Sequence, residues 1–258
     1  MAARAVTLWF IDTDQPVDAL RAHVEQGLPN DVGHAQELAT QIFGDSVLVP
    51  AIDTDLVTAA GAQDSHVYAG CYGPLAVVSC SLFATRRPST LTRTIATIRP
   101  SAVSTLLWTN PDDSLGVFAR WESGSLRRSF AADPVNIDED EGLPFTFEGP
   151  FWGGEVPLRY AEGVPAEPMA LPFHPSQFAE ESNRAWLGFR FTPPVVEPDL
   201  DPRRIPVTGF VIHPSDYEPT ETDLSAYRDQ NGPSTPVTEE AEPAPKRGRI
   251  ARYFGFGG

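Results

Sequence analysis

Val6-Thr7-Leu8-Trp9-Phe10-Ile11, closed by Asp12-Thr13-Asp14, is the stretch from which the fold can be read. It has strand length and no polar alternation, and a strand that is apolar on both pleats must be covered on both faces. A buried central strand is expected here, followed by helices. Asp14 is a candidate N-cap with Pro16 in the first turn, and Val17, Leu20 and Val24 fall on one helical face before Gly27 ends the pattern. Asp31 opens a second helix, where Ala35, Leu38, Ala39 and Ile42 repeat the stripe up to Gly44.

Further along, residues 45–65 match neither period and yield no assignment, and beyond them strands dominate. Residues 67–71 and 75–80 predict a hairpin, residues 91–98 fit helix and strand equally, and residues 103–108 are apolar and partly β-branched. Residues 115–121 and 126–130 predict a second hairpin across Glu122-Ser123-Gly124-Ser125. On its first arm Leu115, Val117, Ala119 and Trp121 share one face, which implies one buried side. A third helix is expected from Pro175, packing through Phe178, Trp186 and Phe189 with Glu180, Glu181, Asn183 and Arg184 on a polar face. Residues 206–212 predict a last strand. The expected fold is α+β: a mixed, largely antiparallel sheet, about three main helices, and a long aromatic, proline-rich arm over residues 134–173.

Composition sets the outer limits. The 258 residues are 41% hydrophobic and 10% aromatic, enough for a packed core, while 26 prolines are about twice the usual share. A net charge of −16 opposes nucleic acid and anionic membranes as partners of the whole molecule. No run approaches the roughly 18 apolar residues of a membrane span, and residues 5–11 lack a signal-peptide pattern, so a cytoplasmic protein is expected. In the first hairpin Cys71 faces Ala76, four residues out of register from Cys80, too far for a disulfide; free, buried thiols are expected.

Three parts are expected: a globular domain over 1–213, an acidic disordered linker over 214–245 and a basic aromatic peptide over 246–258. The linker has eight acidic residues, one arginine and few apolar ones, too little burial to offset ordering entropy.

Two stretches, Leu143-Pro144-Phe145-Thr146-Phe147-Glu148-Gly149-Pro150-Phe151-Trp152-Gly153-Gly154-Glu155 and Leu171-Pro172-Phe173-His174-Pro175 with the helix after it, resemble an uncharacterised actinobacterial domain family of unknown function. The likeness covers most of residues 5–213. It implies a shared fold and a bacterial cytoplasmic setting, with no activity to carry over.

Residue chemistry offers three functional readings. The leading one is a non-enzymatic interaction or adaptor protein, with a protein partner engaged by Arg249, Arg252, Tyr253, Phe254 and Phe256 on the tethered peptide and a groove formed by Phe147, Phe151 and Trp152. The second is a metal-assisted hydrolase: Asp12 and Asp14, at the end of a buried strand, could hold Mg²⁺ or attack a phosphoryl group, with His174 or Glu155 moving a proton. The Asp-Thr-Asp stretch is weakly similar to the first motif of haloacid-dehalogenase-like phosphatases, whose later lysine and second acidic motif have no counterpart here. The third is small-ligand binding under the aromatic arm. No metal or cofactor motif is present: there is no His-Glu-x-x-His spacing, Walker or Rossmann glycine loop, or Gly-x-Ser-x-Gly elbow.

Overall fold

The computed structural model describes residues 3–159 and 168–231. In chain order the regular elements are β1 (Ala5–Ile11), α1 (Pro16–Glu25), α2 (Val32–Phe43), β2 (Val47–Asp55), α3 (Leu56–Gly61), β3 (Val67–Tyr72), β4 (Leu75–Ser79) and α4 (Thr92–Ile98). They continue with β5 (Val103–Asn110), β6 (Leu115–Glu122), β7 (Ser125–Ala132), β8 (Ile137–Gly142), α5 (Gly149–Trp152), α6 (Pro175–Leu187), β9 (Pro206–His213) and α7 (Glu221–Asn231).

All nine strands form one sheet in the order β2-β9-β3-β4-β1-β5-β6-β7-β8. Every neighbouring pair is antiparallel, so the sheet is not mixed. β1 lies at its centre, as the uninterrupted apolar run requires. Its alternate residues serve opposite faces: Trp9 and Ile11 join one core with Leu20 and Val24 of α1, Leu56 of α3 and Phe178 and Leu187 of α6, whereas Leu8 and Phe10 join another with Ala35 and Leu38 of α2 and Ile95 and Ile98 of α4. The architecture is therefore three layers, helices on both faces of an antiparallel sheet. Seven α-helices are described, more than the three read from periodicity, because α3, α4 and α5 are too short to display a helical stripe.

Several local expectations are corrected. Asp14 does not cap α1; the N-cap is Gln15, which makes no side-chain capping bond. Asp31 does cap α2, accepting from the His34 amide at 3.1 Å. β6 is buried on both sides: Phe118 faces one core, Ala119 and Trp121 the other. Glu180 and Asn183 of α6 are buried at 2% and 3% exposure, so its polar face is not a solvent face. Cys71 is in register with Ala76, and both thiols are free and buried; burial pushes the Cys71 thiol up to about 11.

Where the acidic composition predicts disorder over 214–245, residues 221–231 form α7, which packs on the edge strand β2. Polar contacts hold it there. The Tyr217 ring stacks on His213 at 3.8 Å, Asp223 accepts from the Tyr217 hydroxyl and the Thr220 amide (each 2.7 Å), and the Tyr227 hydroxyl reaches Asp53 at 2.9 Å. Hydrophobic periodicity cannot register such a helix. The opposite edge, β8, runs Ile-Asp-Glu-Asp-Glu-Gly, a charged sequence that discourages pairing with another chain.

Gly116 of β6 lets α6 approach the sheet. A Cβ there would stand 1.9 Å from the Pro175 carbonyl oxygen, a backbone atom that cannot swing aside. Gly116→Ala is therefore expected to cost about 3 kcal/mol or more, as overpacking of a rigid contact does. Gly149→Ala, where a Cβ meets nothing within 4 Å, is expected to stay within about 0.5 kcal/mol. Urea unfolding of the two variants measures the difference, and equal stabilities would mean that α6 does not depend on this contact.

Candidate functional site

The aromatic arm is built from the sheet outwards. β8 ends at Gly142, whose φ of +84° and a would-be Cβ 2.2 Å from the Arg127 carbonyl oxygen admit only glycine. The chain then rises over β7 into a 3-10 turn at Thr146–Glu148 and the short α5. Glu148, fully buried, fixes this climb. Its carboxylate takes two parallel bonds from Arg128 of β7, Nε to Oε1 at 2.9 Å and Nη2 to Oε2 at 2.7 Å, and Oε1 also accepts the Phe145 amide at 2.9 Å. Arg128, 1% exposed, spends Nη1 on Asp140 (2.5 Å) and the Glu141 carbonyl (3.0 Å). Two buried charges are tolerable only with such complete hydrogen bonding.

Once pinned, the arm delivers its rings to α6. Phe178 lies at the centre, with Phe173 at 4.7 Å, Phe130 and Phe151 both at 4.9 Å and Phe118 at 5.2 Å between ring centroids. Edge-to-face and tilted arrangements predominate, the geometry that suits ring quadrupoles.

Between the arm, α6 and the segment 190–196 lies a cleft of about 640 Å³. Part of its lining is apolar: Phe147, Pro150, Phe151 and Val156 from the arm, and Pro193, Pro194 and Val196 from the segment after α6. The rest is polar and includes His174, Gln177, Glu180, Glu181, Arg184 and Arg190. Burial pushes the Glu180 carboxyl up, and its oxygens accept from Thr192, the amide at 3.0 Å and the hydroxyl in a short contact. Burial lowers His174, favouring the neutral imidazole. Arg184 is held by Asp199 at 2.8 Å and Glu181 at 3.3 Å. Arg190 reaches Asp199 only at 3.5 Å, and its Nε is buried without an acceptor.

The residues singled out in the sequence are distributed as follows. Phe147 and Phe151 line the cleft together with His174, whereas Trp152 turns away to pack edge-on against Phe173 at 4.8 Å and is 41% exposed. Asp12 accepts from the Ala102 amide at 2.9 Å and from Arg99 at 3.2 Å. Asp14 lines a separate depression beside Gln15, Asp18 and Arg120, so the two aspartates and His174 border three different hollows. Among the described residues no group of three or more His, Cys, Asp or Glu side chains is placed to hold a metal ion. Arg249, Arg252, Tyr253, Phe254 and Phe256 lie outside the described residues.

Sequence reading missed Glu180 as a buried group and Arg190 altogether. A glutamate and an asparagine at 180 and 183, between Phe178 and Trp186, were the available signal: polar groups that close to the apolar stripe need partners, and the proline-rich segment after α6 supplies them.

Fold and cleft together define a three-layer α/β/α domain with an antiparallel sheet and one half-apolar, half-polar cleft under its arm. The chain belongs to a family of unknown function (DUF6928), whose model matches residues 5–210. That bears out the resemblance to a domain family without assigned activity. Neither a curated protein nor a solved structure matches the chain. Among the described residues no helix is long and apolar enough to cross a membrane.

The Arg128–Glu148 pair generates a direct test. Glu148→Ala strands a buried guanidinium and is expected to cost about 3–5 kcal/mol in urea unfolding. Arg128→Met combined with Glu148→Leu should recover most of that loss, because neither partner is then left charged and alone. A cost for Glu148→Ala below about 1 kcal/mol would show that the arm is anchored elsewhere.

Proposed function

We propose that the domain binds a small molecule in the cleft beneath the aromatic arm. The observation that carries this reading is the mixed lining of the cleft, in which the apolar residues Phe147, Phe151, Pro150 and Val156 of the arm meet polar and charged residues of α6 together with Arg190. Its volume lies within the roughly 300–1,000 Å³ of ordinary ligand pockets, which combine apolar surface for affinity with a few polar groups for orientation. The arm is pinned by a fully bonded buried ion pair, so the apolar wall is organised before a ligand arrives, and pre-organisation lowers the entropic cost of binding.

Nothing in the geometry favours hydrolysis at Asp12 and Asp14, since Asp12 is engaged by Arg99 and the Ala102 amide and Asp14 lies in another hollow. The adaptor reading joins the groove residues Phe147, Phe151 and Trp152, of which the first two line the cleft, to a binding peptide at 246–258 that lies outside the described residues.

An uncharged aromatic probe, 2-naphthol, tests the cleft without prejudging its polar chemistry. Titrated into isotope-labelled protein, it is expected to shift backbone amides of Phe147, Phe151, Gln177 and Val196. Gln177→Trp, which fills the cleft from an exposed position on the first turn of α6, should abolish those shifts without loss of fold. Shifts scattered over the surface, or none, would end this reading.

A further inference from the structure

We infer that the ligand of the cleft is a small organic acid whose carboxylate is seated on Arg190 while its apolar body lies against Phe147 and Phe151. The inference rests on the reading of the cleft as a ligand site and adds the class of ligand.

Arg190 is a charged group in the cleft lining with a buried donor that has no acceptor, a deficit a ligand can mend. A guanidinium carries five N–H donors in a planar fork. Here a single contact, Nη2 to Asp199 at 3.5 Å, engages it, and Nε is enclosed without an acceptor. A buried donor without an acceptor is costly, and the side chain as a whole is 34% exposed and open to the cleft, so a small turn of the fork onto an incoming carboxylate exchanges a deficit for a bidentate, charge-assisted bond. Asp199 would not be abandoned by this turn, because Arg184 Nε binds it at 2.8 Å.

The remaining charged groups on this wall do not bar an anion. Glu181 is turned to Arg184 at 3.3 Å. Glu180 is 2% exposed with both oxygens engaged by Thr192. A cationic ligand would bring no acceptor to Arg190 and would sit beside two guanidinium groups. The net charge of −16 opposes anions at long range, but at physiological salt that field is screened beyond about 8 Å, so contact chemistry decides.

The experiment compares 2-naphthoate with 2-naphthamide on the full chain near neutral pH and at physiological salt, with 2-naphthol as the head-group-free reference. The acid is expected to bind about tenfold more tightly than the amide, and to move the Arg190 Nε–H resonance of the unaltered protein. Arg190→Gln should bring the acid down to the level of the amide, leaving 2-naphthol within about twofold; Arg190→Lys should restore part of the preference. Equal binding of acid and amide, or an Arg190 resonance that does not respond, overturns the organic-acid inference while 2-naphthol binding leaves the cleft reading intact. Loss of 2-naphthol binding in the unaltered protein overturns both.

Discussion

Burying Arg128 at the exposed end of the sheet leaves the chain after β8 little choice of path. The guanidinium lies 5.9 Å from the ring centroids of both Phe118 and Phe130, beneath the arm and out of water, and Glu148 is the carboxylate that meets it squarely. Once Glu148 is placed, the 3-10 turn before it and α5 after it follow, and with them Phe147 and Phe151. Those rings complete a cluster whose centre is Phe178 on α6. The position of α6 is in turn set by Gly116, which lets its first turn rest on β6. Sheet, arm and helix are thus locked by one ion pair, one ring cluster and one missing side chain.

The same construction explains why a wholly antiparallel sheet carries helices on both faces. Antiparallel sheets commonly leave one face to water, and strands in them then alternate between apolar and polar. β1, β3 and β4 do not: each is apolar on both pleats and buried almost throughout. Cover for the second face comes from α2 and α4, and the two edges are handled differently, β8 by its charges and β2 by α7.

Much of this was legible in residues that act through burial. The run at 6–11, the stripes of α1 and α2, and α6 with Phe178 and Trp186 follow from hydrophobic period, and the β3–β4 register that pairs Cys71 with Ala76 follows from the turn at Gly73-Pro74; Phe189, read into the same helix, lies past its left-handed cap at Gly188. What was not legible acts through hydrogen bonds between residues far apart in sequence. α7 depends on Tyr227 finding Asp53 across 174 positions, and the arm on Arg128 finding Glu148 across 20. Asp14 illustrates the opposite error: its residue type suits a cap, yet α1 begins at Pro16 behind Gln15 and the aspartate contributes no capping bond. Of the candidate site, the aromatic wall could be named from the sequence, but the polar wall could not, because Glu180 reads as a surface residue until the segment at 190–199 folds over it.

That seam also accounts for where the cleft lies. Irregular backbone can be buried only if its polar groups find partners, and here buried side chains supply them: Glu148 accepts the Phe145 amide, Glu180 accepts the Thr192 amide, and the Asn183 amide group donates to the Phe189 carbonyl at 2.9 Å. The arm is therefore pinned to β7 through Arg128 and Glu148, and the segment after α6 to that helix through Glu180 and Asn183. Both segments are rich in prolines, which lack the amide donors a ladder between them would need. The gap is the cleft. Each of the charged or amide side chains just named is matched to a partner, whereas Arg190 in the cleft lining has one long contact to Asp199 and a buried Nε without an acceptor, which is the deficit that the proposed carboxylate would fill.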